Sequence, residues 1–164
     1  MNHEHSGVAD DTTPMLEDAI ILATQAHRGQ IYPSVNSEPF ILHPLRVMTR
    51  VQSKLAQVVA VLHDVIEDTN YTRDDLRRQG YADAVVEAVD CLTHSSGETY
   101  EAYIERVATN PTARQVKLAD LEDNLANNLR LEMTNETLQR IARYRAAQQR
   151  LVAIDQPNYS KETG

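Results

Sequence analysis

The stretch Val61-Leu62-His63-Asp64-Val65-Ile66-Glu67-Asp68-Thr69 puts one histidine and three carboxylates within six positions of an apolar run. Ionisable groups in such a run are costly to bury unless something of opposite charge meets them. On a continuous helix His63 would stack with Glu67, and Asp64 with Asp68, in two ranks about 100° apart. Two further positions match them in chemistry. His43 stands before Pro44, and Asp120 interrupts the apolar segment "VKLADLEDN" at 116–124. Imidazoles and carboxylates without thiolates form a mixed nitrogen and oxygen set suited to a divalent transition metal such as Mn²⁺, Fe²⁺ or Zn²⁺. We therefore expect His43, His63, Asp64 and Asp120 as ligands of one divalent ion. Glu67 and Asp68, one turn beyond, are expected as catalytic groups that orient or deprotonate a water on that ion.

These side chains need helices to position them, and the sequence is helical almost throughout. Thr13-Pro14 opens a helix, with Leu16, Ala19, Ile20, Ala23 and His27 on one face and Gly29 after it. "IYPSVNSEP" at 31–39 is a loop. Pro44 suits the first position of a second helix, with His43 as its N-cap. A third helix carries Leu55, Val59, Leu62 and Ile66 on one stripe. A short helix from Thr72 to Gln79 opens on capping-box spacing, Thr72 to Asp75, and ends at Gly80. Residues 82–93 and 98–109 form two more. After Pro111 the leucines 118, 121, 125 and 129 share an apolar face, with Asp120, Asn124 and Asn127 as a polar stripe beside it. A last helix covers about 135–154. No strand pattern or internal repeat is visible, so the fold class expected is all-α, in one domain over 13–155. Residues 1–12 and 156–164 read as flexible tails, and His3 and His5 fall in the first of them.

Composition narrows the function. Lys and Arg total 16 against 24 Asp and Glu, a net charge of −8. That balance argues against nucleic-acid binding, which needs a basic stripe, but admits a small polyanion beside a metal. The single cysteine, Cys91, allows no intrachain disulfide and fits a reducing compartment. It reads as a small packed residue. No run is long enough to span a membrane, and no signal-peptide pattern appears, so a cytoplasmic location is expected. His27 reads as a hydrogen-bonded structural histidine, and His94 as a loop or helix-end residue. The oligomeric state has no visible signal.

"AHRGQ" (26–30), "EPFILHPLRV" (38–47), "VLHDVIEDT" (61–69) and "VKLADLEDN" (116–124) together resemble the HD-domain metal-dependent phosphohydrolases. The resemblance is to the branch of (p)ppGpp 3′-pyrophosphohydrolases, which includes the hydrolase domain of bifunctional alarmone enzymes and small single-domain hydrolases. It runs in order from about residue 14 to 145 and implies an HD-type helical bundle. It also implies a site built on His43, His63, Asp64 and Asp120 that usually holds Mn²⁺. By the same resemblance, Glu67 and Asp68 handle the attacking water and Asn124 contacts a nucleotide substrate. The synthetase domain of the bifunctional members has no counterpart, so the resemblance implies hydrolysis without alarmone synthesis.

Two motifs depart from the family pattern. The stretch resembling "RKSGEPY" reads "IYPSVNSEPF" here, with no Arg or Lys from Ile31 to Leu42. "LADRLHN" reads "LADLEDN", with Leu121 in place of arginine and Asp123 in place of histidine. A lost guanidinium removes a charge-assisted hydrogen bond of about 1.5–3 kcal/mol. Lys117 and Arg140 are the candidates to replace that charge as substrate contacts. The leading expectation is a (p)ppGpp-type pyrophosphohydrolase. Its alternatives are an HD-domain hydrolase of another nucleotide or phosphoester, and a nucleotide-binding module without turnover.

Overall fold

Capping chemistry sets most of the helix starts. A computed structural model describes residues 13–154; the expected tails, His3 and His5 lie outside the described residues. Among the described residues the elements are α1 (Thr13–Ala26), α2 (Leu42–Thr49), α3 (Lys54–Leu62), α4 (Val65–Asp68), α5 (Arg73–Arg78), α6 (Asp83–Leu92), α7 (Tyr100–Ala108), α8 (Pro111–Asn128) and α9 (Asn135–Ile154). The side chains of Ser53, Thr99 and Asn110 each accept the backbone N–H three residues on. Thr72 and Asp75 close the expected capping box, which satisfies two otherwise orphaned donors. Gly80 follows α5 at φ +87, a conformation glycine adopts without strain. Among the described residues the only β pairing is an isolated bridge, Ile31 to Pro39, inside the α1–α2 connection.

The core is organised around α3. Ala56 and the unbroken run Val58, Val59, Ala60, Val61 and Leu62 are all buried, because α1, α2, α6 and α8 pack around this helix. A helix apolar on every side is stable only in such a position. Each buried valine or leucine contributes about 1.5–3 kcal/mol relative to exposure. On the other side of α8 lie α7 and α9. The result is an all-α, single-domain bundle. No helix among the described residues is long and apolar enough to cross a membrane.

Three local expectations are corrected. First, His43 is not an N-cap. α2 begins at Leu42 after Ile41, so His43 and Pro44 both lie in its first turn. Proline is tolerated there because first-turn N–H groups have no intrahelical partner anyway. Second, the helix bearing the His-Asp pair is not continuous. α3 ends at Leu62, His63 and Asp64 form a turn, and α4 restarts at Val65. The His63 ring donates from Nδ1 to the Ala60 carbonyl at 2.7 Å, so a side chain uses an acceptor of the last α3 turn. Glu67 and Asp68 are consequently exposed, whereas His63 is buried.

Third, the expected leucine face of α8 is not the buried face. Leu121 is fully buried, but Leu118 and Leu125 are only partly so and Leu129 is exposed. Val116, Ala119, Asp120 and Asp123 are buried instead. α8 turns this side toward α2 and α3, where its carboxylates meet histidine and arginine.

Candidate active site

His43 from α2, His63 and Asp64 from the α3–α4 turn, and Asp120 from the middle of α8 converge. His43 Nε2 lies 3.1 Å from Asp120 Oδ1 and 3.7 Å from Asp64 Oδ2. His63 Nε2 lies 3.0 Å from Asp64 Oδ2 and 3.7 Å from Asp120 Oδ1. Neighbouring ligands of one ion with bonds near 2.1 Å stand roughly 3–3.5 Å apart. His43, His63 and Asp120 present donor atoms all within 4.8 Å of one another, close enough to hold one cation, and Asp64 Oδ2 lies beside both histidines.

Hydrogen bonding fixes which imidazole nitrogens face inward. His43 Nδ1 donates to Asp123 Oδ2 at 2.8 Å and His63 Nδ1 donates to the Ala60 carbonyl. Both partners are acceptors only, so each Nδ1 carries a proton and, in the neutral ring that a metal requires, each Nε2 presents a lone pair. His63 Nε2 is buried and has no hydrogen-bond partner. Lone pairs aimed at carboxylate oxygens repel unless a cation sits among them, and this donor set fits a divalent transition metal.

With no metal present, a proton on each Nε2 takes the place of the cation between the imidazoles and the carboxylates. Burial opposes a charge on His63, but the carboxylates of Asp64 and Asp120 beside it hold its pKa well above the ordinary value. His43 is raised despite burial, through Asp120 and Asp123. Burial would lift the Asp120 carboxyl, yet Lys117 and the two histidines hold it well below the usual range. Asp68 goes the other way. Burial, then the charges of Asp64 and Glu67, push it up to about 6.

A cavity of about 360 Å³ opens over these groups and is lined by His43, His63, Asp64 and Asp120 together with Glu67, Asp68, Lys117 and Asn124. Glu67 Oε2 accepts the backbone N–H of His94 at 2.8 Å, and His94 itself lines the cavity. Lys117 Nζ pairs with Asp120 Oδ2 at 2.8 Å and lies 5.1 Å from the Tyr103 ring centre. Asn124 donates to Asp120 and accepts from the Tyr32 hydroxyl at 2.8 Å.

Arg140 is not among the lining residues. It points toward Glu136, 3.7 Å away. Arg143, on the same helix, lines the cavity instead, its guanidinium 5.0 Å from the Tyr100 ring centre and 5.8 Å from that of Tyr144. His27 is buried, hydrogen-bonded to Gln30 and stacked on Phe40 at 4.5 Å. Cys91 is a partly buried free thiol that contacts the Arg106 carbonyl.

Residues absent from the sequence-level site are Tyr32, Tyr100, Tyr103, Asp123, Arg143 and Tyr144. Tyr32 is buried and lies flat on His43, ring centres 4.7 Å apart. Asp123 could have been found from its spacing, three residues after Asp120 on one helix. Arg143 has the same three-residue spacing from Arg140.

Fold and site together describe an all-α protein in which His43, His63 and Asp120 could hold a metal ion, with Asp64 beside the histidines. No family model matches the chain. It is 32% identical over 132 residues to a protein of Streptomyces coelicolor named GTP pyrophosphokinase, covering 72% of this chain and 15% of that one. It is 32% identical over 119 residues to the guanosine-3′,5′-bis(diphosphate) 3′-pyrophosphohydrolase of Vibrio cholerae, covering 68% and 16%. Against the bifunctional (p)ppGpp synthase/hydrolase SpoT of Escherichia coli K12 the identity is 30% over 131 residues, covering 71% and 18%. The chain thus spans less than a fifth of the length of these relatives. A solved structure titled as a metazoan ortholog of SpoT that hydrolyzes ppGpp shares the fold, with a TM-score of 0.71 and 22% identity over 85% of this chain and 93% of that one. The chain belongs to the HD-domain hydrolase family, in its SpoT/RelA-type branch.

Proposed function

We propose that the chain is a divalent-metal-dependent phosphohydrolase that removes pyrophosphate from the 3′ position of a (p)ppGpp-type guanosine nucleotide. The observation that carries this reading is the convergence of His43, His63, Asp64 and Asp120, with both Nε2 lone pairs turned inward. Names borne by the relatives support the substrate class. A cation held by these four residues, with Mn²⁺ the first to test, would acidify a water and withdraw charge from a phosphoryl oxygen.

The remaining roles fall to the chain's own groups. Glu67, tethered by the His94 N–H, and Asp68 orient the attacking water and take its proton. The water oxygen bonds to phosphorus, the bond from phosphorus to the 3′ oxygen breaks, and that oxygen receives the proton the carboxylates took from the water as pyrophosphate departs. Lys117 and Arg143 offer positive charge to phosphate oxygens from the cavity wall. Asn124 stands at the nucleotide side.

The test is pyrophosphate release from ppGpp with Mn²⁺, and its loss in Asp64→Ala and Glu67→Ala. Full activity in both variants overturns the reading. A second reading keeps the chemistry and changes the nucleotide. It is favoured by Tyr32, whose hydroxyl already occupies the Asn124 carbonyl oxygen, and by the absence of Arg and Lys from 31 to 42. A panel of nucleotides differing in base and phosphate position separates the two.

A further inference from the structure

We propose that Asp123 is a positioning residue for the cation site, fixing the tautomer and aim of His43. The proposal rests on the reading of His43 as a metal ligand. Asp123 is 3% exposed on α8 and meets the proposed ligand set at His43. Its Oδ2 accepts His43 Nδ1–H at 2.8 Å and Arg46 Nε–H at 3.1 Å. Its Oδ1 accepts Arg46 Nε–H at 2.9 Å and faces Arg50 Nη1 at 3.3 Å. Arg46 is held in turn by Glu38 Oε1 at 2.7 Å.

The direction of each bond decides what Asp123 does. Arginine only donates, so both carboxylate oxygens must accept from the arginine side. Asp123 therefore has only acceptor capacity to offer His43, and the proton of that ring stays on Nδ1. Nε2 is left as a lone pair facing Asp64 and Asp120. Tyr32, stacked 4.7 Å away with its ring 9° from parallel, stops the imidazole from flipping out. Carboxylate, imidazole and cation would form a line in which the outer partner orients the ligand and raises its basicity. The series continues outward through Arg46 to Glu38 in the 31–39 connection, so this loop is tied to the ligand geometry.

An unusual ranking of variants follows. In Asp123→Asn, Arg46 and Arg50 would claim the single amide oxygen, and the amide NH₂ would turn to His43. Nδ1 must then accept, which moves the proton to Nε2, where the cation should bind. Asp123→Ala removes the partner but leaves His43 free to choose its tautomer. Asp123→Asn should therefore weaken Mn²⁺ binding more than Asp123→Ala, and by roughly ten- to hundredfold relative to the unsubstituted chain. A residue that only filled space or braced α8 would show the reverse order.

The experiment measures Mn²⁺ and Zn²⁺ affinity of the full chain and both variants by competition with a chromophoric chelator. Thermal melting of each metal-free protein reports folding. Long-range ¹H–¹⁵N correlation of the Zn²⁺-loaded, unsubstituted chain reads the His43 tautomer directly, so the proposal remains testable if a variant fails to fold. A proton on Nδ1 with Asn binding more weakly than Ala supports the proposal. A proton on Nε2, or equal affinity in all three proteins, overturns it. None of these measurements needs a substrate, so failure to hydrolyse ppGpp would count against the proposed reaction and leave this result intact.

Discussion

The Glu67 side chain accepts the backbone N–H of His94 at 2.8 Å, joining the start of the α6–α7 connection to the acidic end of α4. One carboxylate oxygen is held by the fold while the other stays available to a water. Glu67→Gln can keep that tether through its carbonyl oxygen but cannot take a proton. We expect kcat to fall by about 10²–10⁴, the usual contribution of a general base. Mn²⁺ affinity should not change. Stopped-flow or discontinuous pyrophosphate assays, paired with metal titration, check both halves.

Metal removal should invert the pH dependence of stability. His43 and His63 have pKa values above the ordinary 6.5 when no cation is present. Their contribution is complete below about 6.5, the unfolded value, and is lost as pH rises through the raised folded values. Asp120 is depressed below 3.8, so its contribution is present above about 3.8 and is lost as pH falls through the lower folded value. Metal-free protein should melt highest between about pH 4 and 6.5. With saturating Mn²⁺, which needs neutral imidazoles, the melting temperature should instead rise through pH 7. Scanning calorimetry with and without chelator tests the sign.

Lys117 Nζ pairs with Asp120 Oδ2 at 2.8 Å. Lys117→Met keeps most of the stem against the neighbouring tyrosines and removes the charge. The metal-free protein should lose about 1.5–3 kcal/mol, the value of a hydrogen bond to a charged group, and Mn²⁺ should restore part of it. Chemical denaturation in the presence and absence of Mn²⁺ gives both numbers.

Arg143 and Arg140 offer a paired comparison on one helix. Arg143 lines the cavity and is braced by two tyrosine rings, whereas Arg140 faces Glu136. Arg143→Ala should raise KM for the nucleotide substrate by about tenfold or more, the loss of one charge-assisted contact. Arg140→Ala should cost less. Equal losses would mean that substrate reaches the far side of α9.

The sequence made the helices legible wherever a cap or a period was local. Thr72 and Asp75 announced α5, and the apolar run from Val58 to Leu62 marked a helix buried on all sides. The convergence of His43, His63, Asp64 and Asp120 was legible because histidine and aspartate stand out in apolar surroundings. What failed was whatever depended on the neighbours of an element. The break at His63–Asp64 arises from a side chain bonding to a carbonyl three residues back, which no periodicity reports. Leu129 completes a helical stripe on paper, yet α8 buries Asp120 and Asp123 instead, since α2 supplies their partners. Asp123 reads in sequence as a replaced histidine, and only the fold brings His43 and Arg46 against it.

The His63–Asp64 turn hangs from the end of α3, whose last five residues, Val58 to Leu62, are all buried. Any change that lets this helix slide or rotate must carry two of the four inner donors with it, while the other two ride on different helices. Core substitutions such as Val59→Ala or Val61→Ala, far from solvent and chemically mute, would thus detune the centre without touching it. Inheritance of the chemistry and inheritance of the interior are, in this chain, the same constraint.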